Sequence, residues 1–173
     1  MSKLIILRGN SGSGKSTVAL AIAKNSKRKV AVIDADFYRV QMLFPQGENK
    51  QDMAALMIHN VQYCLDHGYT VIWDSIFVAN DRNKKMFSDF FKQVQPKENY
   101  IFNFDVSFEE TVNRHGTRKK SNDFGPEHMK EWYRPVEKLG YDFEYLIPES
   151  NTLKDTINLI CQTAKIEMNE KRF

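Results

Sequence analysis

The sequence contains few cysteines and no long hydrophobic run. Cys64 and Cys161 are its only two cysteines, and their separation matches no metal-binding spacing. Both lie among apolar residues, which favours buried thiols in a reducing compartment over a disulfide. No apolar run approaches the length that spans a membrane, and no signal-peptide pattern precedes the first apolar segment. We therefore expect a cytoplasmic protein without a membrane partner.

The chain also lacks a strong charge of either sign, an internal repeat and a low-complexity linker. Its 25 Lys and Arg residues and 22 Asp and Glu residues give a net charge of +3. An excess this small neither requires nor excludes a polyanionic partner. The length of 173 residues fits one domain that buries its own core without disulfides or a structural metal. We therefore predict a single domain over residues 1–173.

Short apolar runs alternate five times with segments of helical periodicity. Helix starts are indicated by an N-cap at Asn80, a capping box formed by Ser107 and Glu110, and Pro126 in a first turn. This order of elements predicts an α/β fold, with a parallel sheet covered by helices on both faces. The predicted strands are Leu4–Leu7, Val30–Ile33, Tyr69–Trp73, Tyr100–Val106 and Phe143–Ile147.

The strongest motif is a glycine-rich segment between the first predicted strand and the first predicted helix. The residues Gly9-Asn10-Ser11-Gly12-Ser13-Gly14-Lys15-Ser16 match the phosphate-binding loop at every fixed position. Its glycines let backbone N–H groups surround a phosphate, and the helix N-terminus adds a positive field. Lys15 is expected to reach the β- and γ-phosphates, Ser16 to bind Mg²⁺, and Thr17 to touch the α-phosphate. A chance Gly/Ser turn is disfavoured because pattern and context agree, so we predict binding of ATP and Mg²⁺.

A GTPase is disfavoured by the rest of the sequence. The segment Asn49-Lys50-Gln51-Asp52 has the letters of a guanine-recognition element. No strand precedes it, however, and the third predicted strand lacks the Asp-x-x-Gly that accompanies such an element. We interpret the match as accidental.

Acidic residues follow the second and third predicted strands. Ligands of an open parallel sheet lie beyond the carboxyl ends of its strands, so these residues are expected near the γ-phosphate. Either Asp34 or Asp36 could accept the proton of an attacking hydroxyl, or both could cap the next helix. Arg39 is placed to hold an anionic or hydroxyl-rich acceptor. Asp74 is expected to hold the water shell of Mg²⁺ or to touch the acceptor, or else to serve in a turn.

A basic segment follows the fourth predicted strand. Arg114 and Arg118 are four residues apart, so one helical face can present both to a transferring phosphate. A solvated basic face is the alternative. We predict a lid over about 114–128. Beyond Pro126, the helical spacing favours core packing of Trp132 and Tyr133 over stacking on an acceptor ring.

These segments together resemble the small P-loop kinases of the nucleotide-kinase type, especially the branch of polynucleotide 5′-hydroxyl kinases and zeta toxins. The resemblance lies in residues 9–17, in Asp36-Phe37-Tyr38-Arg39, which is similar to the Asp-x-x-Arg of that branch, and in the Arg114/Arg118 pair. It implies a three-layer fold with five parallel strands in the order 2-3-1-4-5. It also implies that Asp36 is the general base, that Arg39 binds the acceptor, that Arg114 lies near adenine and that Arg118 meets the β- and γ-phosphates.

The predicted function is therefore an ATP-dependent kinase with a hydroxyl acceptor. The acceptor is either the 5′ end of a nucleotide or nucleic acid, or a small molecule such as a polyol, a sugar acid or an antibiotic. The alternative is an ATP-binding regulatory module without transfer activity. The presence of Lys15, Ser16, Asp36 and Arg118 favours the kinase.

Overall fold

The computed structural model describes residues 2–43, 50–117 and 123–169. The strands are β1 (Lys3–Arg8), β2 (Val30–Asp34), β3 (Thr70–Ser75), β4 (Asn99–Asp105) and β5 (Glu144–Pro148). The α-helices are α1 (Lys15–Asn25), α2 (Lys50–Asp66), α3 (Asp81–Val94), α4 (Phe108–Gly116), α5 (Pro126–Trp132) and α6 (Leu153–Thr163), and a π-helix covers Phe37–Met42. In the part of the chain that the structure describes, no helix is both long and apolar enough to cross a bilayer.

The five strands form one parallel sheet in the order β2-β3-β1-β4-β5. The fold class and the strand order are therefore confirmed. Because β1 pairs with both β3 and β4, the chain leaves the centre of the sheet at Arg8 and enters the glycine-rich loop there. The strand order changes direction beside β1, which is where a parallel sheet leaves a crevice for ligands at its carboxyl edge.

Alternation of side chains along β1 separates two hydrophobic cores. Leu4 and Ile6 pack in the core on the face covered by α2 and α3. Ile5 and Leu7 pack in the core on the face covered by α1 and α6. A strand that is buried on both faces shows a continuous apolar run in the sequence, as β1 does. Since successive side chains of a strand point to opposite faces, Arg8 lies on the α2/α3 face of the sheet.

One of the predicted helix caps is present in the structure, and another is only half formed. The Asn80 side chain accepts a hydrogen bond from the first turn of α3, which confirms the predicted N-cap. Ser107 accepts a bond from the backbone N–H of Glu110, but the reciprocal half of the predicted capping box is missing. The Ser107 backbone N–H instead donates to the Glu149 carboxylate, at 2.9 Å. The prediction was wrong because the Glu110 carboxylate pairs with Arg114.

The predicted core position of Trp132 was also wrong. Helix α5 begins at Pro126 as expected, but it ends at Trp132 and does not continue to Pro135. At the last residue of a short helix, the indole is 47% exposed and packs edge-on against Phe124. Tyr133 is half-buried, and its hydroxyl donates to a backbone carbonyl at the end of β4.

Candidate active site

The glycine-rich loop packs tightly against α4. Gly12 has a φ of +85°, a conformation that residues with a side chain rarely adopt. A Cβ atom at this position would overlap the backbone carbonyl oxygen of Thr111 and lie 3.1 Å from Met129 Cε. Glycine is therefore required here both by the backbone conformation and by the close approach of α4. The loop is held in one position between β1, α1 and α4.

Lys15 lies at the centre of this loop. Its side chain is buried, and Nζ donates to the Asn10 carbonyl oxygen at 2.9 Å and to Ser13 Oγ at 3.3 Å. Ser16 and Thr17 follow in the first turn of α1. The predicted phosphate-binding residues 9–17 thus surround a single ammonium group at the N-terminus of a helix, an arrangement suited to an anion.

Asp74 lies beside this loop on the neighbouring strand. In the sheet it is opposite both Leu7 of β1 and Asp34 of β2, and its side chain is only 2% exposed. Burial raises the pKa of Asp74, although the Lys15 charge and a hydrogen bond from Ser16 oppose this rise. The carboxylates of Asp34 and Asp36 raise it further. Asp74 is therefore a desolvated carboxyl group that faces the start of α1.

The surroundings of Asp74 fit a magnesium ion. Its Oδ2 atom is buried and has no hydrogen-bond partner among the described residues, while the Ser16 hydroxyl binds the same carboxyl group. Within residues 2–43, 50–117 and 123–169, no three His, Cys, Asp or Glu side chains form a metal cluster. Mg²⁺ commonly takes only one or two protein ligands and completes its shell with water and phosphate oxygens. Ser16 and Asp74 are the residues that would hold it.

The two acidic residues at the end of β2, Asp34 and Asp36, differ in their contacts. Asp34 Oδ1 accepts the backbone N–H of Asp36 at 2.9 Å, so the Asp34 carboxylate fixes the turn that leaves the strand. The Asp36 side chain makes no capping bond to the π-helix. Its Oδ1 instead accepts a hydrogen bond from Arg39 Nη2 at 2.7 Å, and both side chains are about half exposed. The alternative of two helix caps is therefore wrong for Asp36.

A π-helix that no sequence pattern indicated carries Arg39, and Asp36 is its N-cap residue. Tyr38 anchors this turn, because its ring is buried and its hydroxyl accepts a bond from Asn60 of α2 at 2.7 Å. The wider spacing of a π-helix is common at functional sites. With Tyr38 directed inward, the pair of Asp36 and Arg39 is left at the solvent-facing side of the carboxyl edge.

Arg114 connects three parts of the site. Its guanidinium donates to Glu110 Oε1 at 2.6 Å, to the Ser13 carbonyl oxygen at 3.0 Å and to the Glu149 carbonyl oxygen at 2.8 Å. It therefore lies between the phosphate loop and the segment after β5. Arg118 and part of the predicted lid lie outside the described residues, so their roles stay predictions.

A buried polar network at the end of β1 was missed. Arg8 Nη1 donates to Asn103 Oδ1 at 2.7 Å, and Asn103 Nδ2 donates to Glu144 Oε2 at 3.2 Å. Glu144 also accepts the backbone N–H of Leu139. The available signal was a polar residue next to the apolar run of each of two central strands, since such side chains are buried only with hydrogen-bond partners.

The AAA_33 family model, an AAA domain, matches residues 4–139. The chain belongs to this family. No curated protein sequence significantly matches this AAA-domain chain.

Solved structures similar to this AAA-domain chain include several kinases. An APS kinase from Mycobacterium tuberculosis, in complex with AMPPNP and APS, has a TM-score of 0.71 at 14% identity, covering 95% of this chain and 98% of the other. A sugar kinase from Janibacter sp. has a TM-score of 0.66 at 14% identity, covering 96% of each chain. A chain of the Pnkp1/Rnl/Hen1 RNA repair complex has a TM-score of 0.56 at 20% identity, covering 82% of this chain and 50% of the other. The chain therefore has a P-loop kinase fold.

Proposed function

We propose that this protein is an ATP-dependent kinase that transfers the γ-phosphate to a hydroxyl group of an acceptor. The observation that carries the proposal is the convergence of charged groups at the carboxyl edge of the sheet. The Lys15 ammonium and the buried Asp74 carboxyl group lie at the start of α1, and the pair of Asp36 and Arg39 follows the neighbouring strand β2. A P-loop kinase fold, shared with kinases of different acceptors, supports this function.

The proposed donor site consists of residues 9–17. Backbone N–H groups of the loop and the Lys15 ammonium bind the β- and γ-phosphates, and Arg114 lies on the nucleotide side. Ser16 would hold Mg²⁺ with its hydroxyl group, and Asp74 would hold it through water. When bound, the ion neutralises negative charge on the phosphate oxygens.

In the proposed reaction, Asp36 accepts the proton of the acceptor hydroxyl. The hydroxyl oxygen forms a bond to the γ-phosphorus while the bond from that phosphorus to the β,γ-bridging oxygen breaks, and ADP leaves. Arg39 orients the Asp36 carboxylate and holds the acceptor, and Arg118 meets the charge that develops on the transferred group. Asp36 is favoured over Asp34 as the base because the Asp34 carboxylate already binds the backbone of the turn.

Three variants test these roles. Lys15→Ala should abolish binding of magnesium-ATP, measured by calorimetry. Asp36→Asn should keep ATP binding and lower transfer by about 10²- to 10⁴-fold, as expected for loss of a general base. Asp34→Asn is the matched control, because an amide oxygen can still accept the backbone bond of the turn, and it should retain most activity. Unchanged transfer by Asp36→Asn would show that the assignment of the base is wrong.

The acceptor is to be found by a transfer screen with labelled ATP over oligonucleotides, nucleosides, nucleotides, sugars, sugar acids and aminoglycosides. Transfer to a 5′-hydroxyl with strong salt dependence would favour a polynucleotide acceptor. Transfer to a small molecule with little salt dependence would favour a closed pocket. Binding of magnesium-ATP with no transfer to any compound would identify a regulatory module instead.

A further inference from the structure

The side chain of Asn10, in the phosphate loop, binds the main chain of the segment that follows α5. Its amide nitrogen donates to the Arg134 carbonyl oxygen at 2.7 Å, and its Oδ1 atom accepts the Arg134 backbone N–H at 3.0 Å. The two residues are 124 positions apart in the chain. Asn10 is only 6% exposed, so both hydrogen bonds are shielded from water, and hydrogen bonds are stronger in such surroundings.

The main chain of Asn10 faces the phosphate site. Its carbonyl oxygen accepts hydrogen bonds from Lys15 Nζ at 2.9 Å and from the Ser13 backbone N–H at 3.3 Å. The Lys15 ammonium is the group that the proposed function assigns to the β- and γ-phosphates. Asn10 therefore contacts the proposed donor site with its main chain and the segment after α5 with its side chain.

The far end of that segment is fixed to the sheet. Arg8 Nη1 donates to the Glu137 carbonyl oxygen at 3.1 Å, and the Glu144 carboxylate accepts the Leu139 backbone N–H at 2.8 Å. Asn103 joins Arg8 to Glu144, so the buried charges of this network balance. The segment after α5 is thus a firm support, because buried side chains of β1, β4 and β5 hold one end of it, and Asn10 attaches the phosphate loop to the other end.

Helix α5 itself also packs against the loop. Met129 is 3% exposed, and its Cε atom would lie 3.1 Å from a Cβ atom added at Gly12. The Tyr133 backbone N–H donates to the Met129 carbonyl oxygen at 2.9 Å, and the Tyr133 hydroxyl donates to the Val106 carbonyl oxygen at 3.2 Å. Since packed interiors leave little free space, a shift of the loop must move α5 as well or break these contacts.

We propose that Asn10 is a positioning residue, whose side chain holds the phosphate loop in the conformation that binds a triphosphate and couples the loop to residues 126–137. The inference rests on the proposed function, because it takes the loop as the donor site. A loop that is ordered before binding loses less conformational entropy when the ligand arrives. Because coupling between two sites is reciprocal, a ligand in the loop must in turn stabilise residues 126–137.

Hydrogen exchange of the full chain, with and without AMPPNP and magnesium, tests this coupling. In the wild type, saturating AMPPNP should slow exchange at residues 9–17 and also, by about fivefold or more, at the amides of Met129 and Tyr133. In Asn10→Ala, saturating AMPPNP should still protect the loop, but the added protection of α5 should largely disappear. The affinity of Asn10→Ala for AMPPNP, measured by calorimetry, should fall about fivefold or more for the same reason.

Substitutions at Arg134 separate the role of its backbone from that of its side chain. Arg134→Pro removes the N–H that binds Asn10 Oδ1 and should reproduce the loss of coupling. Tyr133 would precede the new proline, and its φ of −62° and ψ of 133° are extended values that suit such a position. Arg134→Ala is the matched control, because it keeps both backbone groups and should keep the coupling.

Tyr133→Phe controls for simple loosening of the segment. It removes the hydrogen bond to Val106 but leaves the bonds between Asn10 and Arg134 in place, so the protection of α5 by AMPPNP should persist. A loss of coupling in Tyr133→Phe or Arg134→Ala as large as in Asn10→Ala would overturn the inference. Arg134→Pro leaves every loop residue unchanged, so it decides the question if Asn10→Ala fails to fold.

The outcomes separate this inference from the kinase function. If AMPPNP binds but protects α5 equally in Asn10→Ala and the wild type, or does not protect it in the wild type, the inference is wrong while the kinase function stands. Protection of α5 that depends on Asn10, without transfer to any acceptor, supports the inference and refutes the kinase. Failure of the wild type to bind AMPPNP refutes both.

Discussion

Replacement of Asp74 by asparagine should stabilise the metal-free protein and abolish its activity. Burial is the largest influence on this carboxyl group, and its Oδ2 atom has no hydrogen-bond partner among the described residues. An ionised carboxylate in such a place costs folding free energy, because folding removes it from water. A neutral amide of the same shape avoids that cost and still offers an oxygen to the Ser16 hydroxyl.

The sign of the pH dependence follows from the raised pKa of Asp74 in the folded state. Below the pKa of the unfolded chain, near 4, the group is protonated in both states and costs nothing. As pH rises, the unfolded state ionises first, so the wild type loses stability until the folded-state pKa is passed, and the loss then stays constant. The advantage of Asp74→Asn should therefore grow with increasing pH and then level off.

The magnitude follows from linkage. At a pH above both pKa values, each pKa unit by which the folded state exceeds the unfolded state lowers the free energy of unfolding by about 1.4 kcal/mol. For a chain of this size, each kcal/mol changes Tm by about 2–4 °C. Stabilising substitutions commonly add roughly 0.5–2 kcal/mol to the free energy of unfolding. We expect Asp74→Asn to lie in this range and therefore to raise Tm by several degrees at pH 8.

Thermal and urea unfolding in EDTA between pH 4 and pH 8 measure this effect. Asp89→Asn is the control of opposite sign, because a hydrogen bond donated by exposed Lys85 lowers the pKa of Asp89. Replacing this carboxylate should give no gain in stability at high pH. Addition of magnesium and AMPPNP should then stabilise the wild type more than Asp74→Asn. A stability difference that does not change with pH would refute the argument from burial.

Two further predictions concern the phosphate loop and the cysteines. Gly12→Ala should lower the free energy of unfolding in urea by about 2 kcal/mol or more and should abolish ATP binding. A residue with a side chain costs about 1–2 kcal/mol in the left-handed conformation, and the added methyl group also overlaps α4. Burial raises the pKa of Cys161 to about 11, so only about one thousandth of this thiol is ionised at pH 8. Iodoacetamide should therefore label Cys161, as followed by peptide mass spectrometry, only after unfolding.

Each of these predictions has a control within the chain. Gly68 has a similar φ of +79°, but no atom lies within 4 Å of a Cβ added there. Gly68→Ala should therefore lower the free energy of unfolding only by the cost of the left-handed conformation. Equal losses for Gly12→Ala and Gly68→Ala would show that α4 does not constrain the loop. Cys64 is half-buried and should be labelled before Cys161 in the native protein. Equal labelling of both thiols without denaturant would contradict the burial of Cys161.

The fold could be predicted from the sequence because its signals are local. The apolar run before Gly9 and the fixed positions up to Ser16 determine a strand, a loop and a helix within sixteen residues. The proximity of Asp34 and Asp74, at the ends of β2 and β3, could also be predicted, because a parallel sheet brings its carboxyl ends to one edge. The strand order came from the resemblance to P-loop kinases and not from residue patterns.

The contacts of individual site residues could not be predicted in the same way. Asp34 and Asp36 are equivalent in sequence, and only the backbone turn shows that Asp34 binds the chain while Asp36 pairs with Arg39. The hydrogen bonds of Arg8 join residues 69 to 129 positions apart, a separation at which periodicity carries no information. Trp132 was misplaced because the length of α5, and not the spacing, decides which side chains face the core.

Alternation along the strands explains how one edge of the sheet holds two different sets of polar side chains. Asp34 and Asp74 occupy the same register on neighbouring strands and face the α1 side, where Lys15 and Ser16 lie. Arg8 is one residue past Leu7 of that core and faces the other side, where it donates to Asn103 and to the Glu137 carbonyl oxygen. The donor site and this buried network therefore lie on opposite faces of the sheet at the end of β1. A period of two along a strand supplies that separation.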